Sequence, residues 1–265
     1  MSIPHLPEEL LDHVVDFLHY KEDALVSCCL ISKSWIPRVR KHLFADVWFE
    51  SGDLEVWKKM FPDPSTSPGR YTKTLTIKCP HAVTVADAEV GGWIRGFSHV
   101  MRLRLGSSGW DPETYDDATF LIPLRGLSPF VKSLSIDRVG FPSSRIFDLI
   151  LSFPLLEDLT MTHRGYARID HDDVFNGLPT LVQRSNQPAL TGSLKLVALG
   201  TEPIARRLLS TPGGIHFRKF TLAWEHGEDI PLTTALVGGC SHTLESLDIT
   251  CDPPSASIRH PRPYR

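Results

Sequence analysis

The chain has 265 residues, 42% of them hydrophobic, which suits a folded protein built as one large domain or as a small module joined to a repeat array. With 28 Lys and Arg against 31 Asp and Glu, a formal charge of −3 supplies no long-range attraction to nucleic acid or to an anionic membrane, so local surface must choose the partners. Five cysteines at positions 28, 29, 79, 240 and 251 are scattered without a Cys-x-x-Cys pair, an odd set that argues for free thiols in a reducing compartment and against a disulfide framework or zinc site.

Met1-Ser2-Ile3-Pro4-His5 lacks the basic, apolar and small-residue succession of a secretory signal, and no window reaches the ~18–20 apolar residues of a spanning helix. A cytoplasmic or nuclear location without membrane attachment is expected. The first predicted helix opens at Leu6-Pro7-Glu8-Glu9, where Pro loses nothing by lacking an N–H and the acids favour the positive end of the helix dipole. Leu10, Leu11, Val14, Val15 and Leu18 recur at helical spacing. Ala24 to Ile31 is apolar nearly all round, and Ser32-Lys33-Ser34-Trp35 starts a third helix running to Leu43-Phe44. Segments of ~40 residues rarely bury enough surface to fold unaided, so this much Leu, Val and Trp calls for a covering partner.

These residues resemble the F-box. The likeness is carried by Leu6-Pro7, Glu9-Leu10-Leu11, Val14, Leu18, the run Ala24 to Trp35, and Leu43-Phe44. Ala24 stands where the family often has Asp, and Cys29 where it often has Ser. Within the family the chain looks most like fungal F-box domain-containing proteins. The resemblance implies docking on the Skp-type adaptor of a cullin–RING ubiquitin ligase, with Leu6, Pro7, Leu10, Leu11, Val14, Leu18, Leu25, Leu30 and Trp35 as the expected adaptor contacts. The alternative reading, three helices that merely cap the rest of the chain, uses the same burial physics.

A connecting strand and helix are expected from Val47 to Met60, followed by Phe61 to Gly69, whose three Pro and one Gly predict an extended surface loop or a hinge. Beyond it, short alternating strands recur with inward pairs Leu75 and Ile77, Leu103 and Leu105, Leu134 and Ile136, Leu159 and Met161, Val197 and Leu199, Phe220 and Leu222, and Leu247 and Ile249. An apolar residue stands three positions before most of them: Val100, Val131, Leu156, Leu194, Phe217 and Leu244. This L-x-x-L-x-L pattern resembles leucine-rich repeats, one strand per repeat in a curved parallel sheet. Helical segments at Ser143 to Phe153, Pro203 to Leu209 and Pro231 to Val237 would cover the outer face. Asn176 to Gly192 is predicted as an inserted loop. The expected fold is α+β or α/β: an F-box at 1–46, a connector at 47–70, an irregular β–α solenoid at 71–251, and a disordered Pro/Arg-rich tail at 252–265. The rival is an ordinary βαβ sheet. The tail is too short and polar to cap a solenoid, so the last repeat is expected to be unstable, covered by a partner, or the end of a shortened receptor.

Nothing converges on a reaction. His171-Asp172-Asp173 with His163 is the densest set of metal-ligand types, and its position before Asn176-Gly177 fits an acidic helix start. Gly106-Ser107-Ser108-Gly109 lacks nucleophile-elbow spacing, and Cys28-Cys29 sits in an apolar helix where burial suppresses reactivity. No cofactor or metal is expected. An α/β enzyme would require His163, His171 and Asp172 to meet in space.

Residues alternating with the inward pairs should face the concave side: Thr74, Arg102, Ser133, Asp158, Leu196, Lys219 and Ser246 in one column, Thr76, Arg104, Ser135, Thr160, Ala198, Thr221 and Asp248 in the next. Arg102, Arg104, Asp137, Asp158, Thr160 and Lys219 are the candidate target contacts, suited to a protein or peptide more than to a nucleic acid; plain solvated strand positions are the alternative. The expected function is a non-catalytic substrate receptor for an unidentified protein. A scaffold on the same adaptor, without a degradation role, is the alternative.

Overall fold

Pairs of inward aliphatic side chains two residues apart commit each short segment to a half-buried strand, and in this protein they line up as one parallel sheet. The computed structural model describes residues 7–50, 52–78, 91–106, 124, 127, 129–137, 144–163, 189–198, 202–211, 213–224 and 230–251. Helices α1 (Glu8–Phe17), α2 (Glu22–Ile31) and α3 (Ile36–Leu43), the last entered through a 3-10 turn at Lys33–Trp35, precede the sheet. Then follow β1 (Asp46–Phe49), α4 (Asp53–Met60), a 3-10 turn (Pro68–Tyr71), β2 (Thr74–Ile77), α5 (Gly91–Ile94), β3 (Arg102–Gly106) and β4 (Ser133–Asp137). The remainder is α6 (Ser144–Leu151), β5 (Asp158–His163), β6 (Leu190–Ala198), α7 (Glu202–Leu209), β7 (Ile215–Trp224), α8 (Ile230–Gly239) and β8 (Ser246–Cys251).

The strands lie in chain order from β1 to β8, every neighbouring pair parallel. This order has no reversal, so it lacks the switch-point crevice of doubly wound nucleotide-binding sheets. The register stacks two apolar columns: Val47, Leu75, Leu103, Leu134, Leu159, Leu194, Phe220 and Leu247, beside Phe49, Ile77, Leu105, Ile136, Met161, Leu196, Leu222 and Ile249. Leu54 and Trp57 of α4, Phe147, Leu149 and Ile150 of α6, Ala205 and Leu208 of α7, and Leu236 of α8 join these columns in one core. Each fully buried aliphatic or aromatic side chain contributes roughly 1.5–3 kcal/mol. Helices expected near 143–153, 203–209 and 231–237 are present as α6, α7 and α8.

Three expectations need correction. The supposed connector is the first unit of the sheet: β1 pairs with β2 in the register Asp46 to Thr74, and Phe49 and Trp57 are buried. The Pro-rich segment is folded into turns rather than extended. Asp63 accepts hydrogen bonds from the Ser65 N–H (2.9 Å) and hydroxyl (2.8 Å), forming a turn, and buried Ser67, Pro68 and Gly69 press against Gly96 and Phe97.

The third correction concerns β6, whose inward pair is Leu194 and Leu196 rather than Val197 and Leu199. The intervals around it are therefore 35 and 26 residues in place of 38 and 23. Leu194, expected as the lead-in, is itself the first inward residue, three positions earlier. Just before it the register to β7 slips by one residue between Gly192 and Ser193, leaving Arg218 of β7 unpaired; Gly192 adopts φ +84° and its backbone approaches the Glu157 carbonyl too closely for any Cβ. Leu190 to Gly192, expected in the inserted loop, belong to β6, while 176–188 lie outside the described residues.

The two ends of the sheet differ. At β1, Phe44, Phe49, Trp57, Phe61, Trp93 and Phe97 form an aromatic cluster with ring centroids 4.8–6.4 Å apart, mostly edge to face. At β8, Leu247 and Ile249 are each 43% exposed, whereas Phe220 and Leu222 of β7 are buried. The inward pair of β8 is thus only partly covered. No helix among the described residues is long and apolar enough to cross a membrane.

The Gly192 requirement predicts that Gly192→Ala lowers stability by about 3 kcal/mol or more, because both backbone angle and contact forbid a side chain. Gly238→Ala, in α8 with open space around it, should stay within about 1 kcal/mol. Urea unfolding monitored by circular dichroism measures both.

Candidate functional site: an open apolar ridge and a polar sheet face

The three N-terminal helices make their own small core from Val15, Leu25, Cys28 and Val39, separate from the core under the sheet. Leu18, Cys29, Trp35 and Leu43 pack against it. Helix α1 starts where the Pro7 carbonyl accepts the N–H groups of Leu10 (3.0 Å) and Leu11 (3.3 Å). The Ser32 hydroxyl accepts the Ser34 N–H (3.3 Å) and so caps the turn into α3. At the other end of α3, Leu43 faces the small core while its neighbour Phe44 packs on Trp57 and Phe61 of the large one. Two adjacent side chains thereby hold both cores.

A polar clamp fixes α1 on α3. The Arg38 guanidinium grips the Asp16 carboxylate through two nitrogens, Nε at 2.7 Å from Oδ1 and Nη2 on Oδ2, and His42 Nε2 lies 2.8 Å from Oδ1. Arg38 also lies 3.7 Å from Asp12. The hydrogen bonds from Arg38 and then His42 hold the Asp16 carboxyl well below the ordinary carboxylate range.

With one face of each helix used inward, the remaining apolar residues stay outside. Leu10, Val14 and Phe17 stand at i, i+4 and i+7 on α1, and Val26 and Leu30 at i and i+4 on α2, next to Ile31. Phe17 is 70% exposed, Leu30 85% and Ile31 68%. Leu10, His13, Val14, Phe17 and Leu18 line a shallow concavity of about 430 Å³.

Among the expected adaptor contacts, Leu10, Val14 and Leu30 are outward, Pro7 is exposed, and Leu11, Leu18 and Trp35 are half-buried. Leu25 is corrected: it is 1% exposed and supports the helices from within. Leu6 lies outside the described residues. Phe17, Tyr20, Val26 and Ile31 are outward residues that the sequence reading missed, although the Leu10 and Val14 spacing points directly to Phe17.

On the sheet, the residues alternating with the apolar columns face away from the helices and line a groove of about 980 Å³. It brings together Arg102, Arg104, Asp137 and Thr160 from the expected target contacts. Asp158 and Lys219 share the Arg102 row by register, and Asp158 accepts a hydrogen bond from Ser193. Arg102 Nε donates to Thr74 Oγ1 at 3.0 Å. The β6 correction puts Ser193 and Lys195 in these rows in place of Leu196 and Ala198. Trp48 also lines the groove, with the Lys78 ammonium 3.8 Å from its ring centroid and Glu50 3.0 Å from that ammonium.

Among the described residues no group of three His, Cys, Asp or Glu side chains could hold a metal ion. His163 ends β5, paired in register with Ala198, while His171, Asp172 and Asp173 lie outside the described residues. Cys28 and Cys240 are buried free thiols, and burial pushes the Cys240 pKa up.

Residues 3–44 match the family model of the F-box domain. The chain carries an F-box. It is also 28% identical over 204 residues to "F-box protein At3g59000" of Arabidopsis thaliana. That match covers 62% of this chain and 40% of the relative's length. No solved structure matches the chain. The F-box match coincides with the small core, its clamp and the open ridge, ending at the Leu43/Phe44 junction.

The clamp gives a pH prediction. Because the folded pKa of Asp16 is lowered, its contribution is full above ~pH 5 and is lost as the pH falls below ~4 toward that lowered value. Asp16→Asn should therefore lower the urea midpoint at pH 7, and the gap to the wild-type protein should narrow below ~pH 4.

Proposed function

We propose that this chain is the substrate-recognition subunit of a cullin–RING ubiquitin ligase. In this reading the F-box docks on a Skp-type adaptor, and the sheet, as an irregular leucine-rich-repeat-like solenoid, presents a protein target. The observation that carries it is the apolar ridge: Leu10, Val14, Phe17, Val26, Leu30 and Ile31 stay outside in a segment whose core and clamp are already complete. Sets of large exposed apolar side chains on a small module mark a surface meant for another polypeptide.

Eight parallel strands in chain order, with covering helices on one face and a polar groove on the other, support the repeat reading. The chain itself then performs no chemistry. It raises the effective concentration of a target lysine beside the ubiquitin-charged enzyme that the other subunits bring. Burying each ridge side chain at the adaptor contributes ~1.5–3 kcal/mol, so several together exceed an association cost of ~4–15 kcal/mol.

Co-purification with the Skp-type adaptor, followed by titration calorimetry, tests this reading. The wild-type chain should bind, and Phe17→Asp and Leu30→Asp should each weaken binding at least about tenfold. Trp48→Ala, on the sheet face, should leave it unchanged. Both target positions are exposed, so circular dichroism should match the wild type. Failure of the wild-type chain to bind, or equal binding by the Asp variants, contradicts the assignment.

A further inference from the structure

One row of the polar sheet face differs in charge from its neighbours. It runs from Trp48 on β1 through Thr76, Arg104, Ser135 and Thr160 to Lys195 on β6, in direct register. Over these six strands it contains two cations, three hydroxyls and one aromatic ring and no carboxylate; it continues through Thr221 on β7 to Asp248 on β8. On the same six strands the carboxylates stand in the rows on either side, as Asp46 and Asp158 on one and Asp137 on the other. Arg104 and Lys195 are exposed, and neither has an ion-pair or hydrogen-bond partner among the described residues. Lys78 and Lys132, by contrast, are paired with Glu50 and Glu157, both at 3.0 Å. Arg102 and Lys219 lie in the adjoining row beside Arg104 and Lys195 and reinforce the two basic spots.

We propose that this row binds an extended acidic segment of a target protein, with an apolar side chain on Trp48 and anionic groups on Arg104 and Lys195. The proposal rests on the receptor reading above and specifies what that receptor takes. Neighbouring strands are ~4.8 Å apart, which puts Arg104 about 10 Å from Trp48 and Lys195 about 14 Å beyond Arg104. An extended chain advances ~3.3 Å per residue, so the anchors are met by an apolar residue, an acid about three positions on, and a second acid about four further. Guanidinium and ammonium groups flanked by hydroxyls accept either carboxylate or phosphate oxygens, so Asp or Glu and phosphorylated Ser or Thr share the recognising chemistry. A single row some 24 Å long suits a peptide strand. The carboxylates on both flanks would repel a wider, uniformly charged polymer such as nucleic acid.

A random octapeptide library displayed on phage and panned on the full-length chain tests the proposal. The enriched peptides should carry acidic residues about four positions apart, with an apolar residue toward one end. The consensus peptide, labelled and titrated by fluorescence anisotropy, should lose at least about tenfold in affinity with Arg104→Glu or Lys195→Glu. Replacing its acids by Gln should weaken binding equally, and replacing them by phosphoserine shows which anion is preferred. Asp137→Asn should preserve or tighten binding. A neutral or basic consensus, no enrichment, an unchanged affinity in both Glu variants, or tighter binding of a single-stranded oligonucleotide overturns the proposal. The adaptor titration is independent of all of these, so failure here leaves the docking assignment standing, and the reverse holds too.

Discussion

A small module cannot bury every face of its helices, and the rest of this protein's organisation follows from how that limit is met. Helix α2 is apolar over most of its circumference, yet only Leu25 and Cys28 are buried in the small core, with Cys29 packed at its edge. Val15 and Val39 complete that core, and the Asp16, Arg38 and His42 clamp locks α1 against α3 without using any more apolar surface. Leu30, Ile31 and Phe17 are then left in water by geometry. The clamp matters because a ridge recruits a partner cheaply only when it is already rigid.

The sheet solves a different problem. Its two apolar columns are continuous from β1 to β8, and from β1 to β7 each strand's inner pair is buried by its neighbours and by helices on one face alone. The opposite face is released from any packing duty and can vary in chemistry from strand to strand. Leu43 and Phe44, pointing into different cores, tie the sheet directly to the three N-terminal helices. Ser67, Pro68 and Gly69 are buried, with Ser67 and Gly69 close to Gly96 and Phe97. In the proposed reading a receptor acting by proximity gains from a fixed span, which keeps effective concentration high.

Much of this was legible in the residues. The helical spacing in α1, the Leu-x-Leu pairs, and the helices α6 to α8 follow from periodicity alone, and the strand pairing places Leu103, Leu134 and Leu159 in one column as the repeat pattern requires. What escaped had local causes. Val47 and Phe49 carry the repeat spacing, with Phe44 three positions before, but they directly follow the F-box and precede the Pro-rich run, so they read as a connector and hid Trp48. At β6 Leu194 fits the lead-in position before Val197 as well as the first inward position, and the first choice hid Lys195 behind Ala198. Leu25 belongs to the same apolar run as Leu30, and only the helix packing tells inside from outside.

The central claim is that the α1 and α2 ridge is open in the free chain and closed by the adaptor. Hydroxyl-radical footprinting of the full chain, alone and with the Skp-type adaptor, reads this side chain by side chain. The account predicts that Phe17, Leu30 and Ile31 are oxidised readily in the free chain and protected in the complex, with Trp48 unchanged in both. Slow oxidation of those three in the free chain, or undiminished oxidation in the complex, would contradict it.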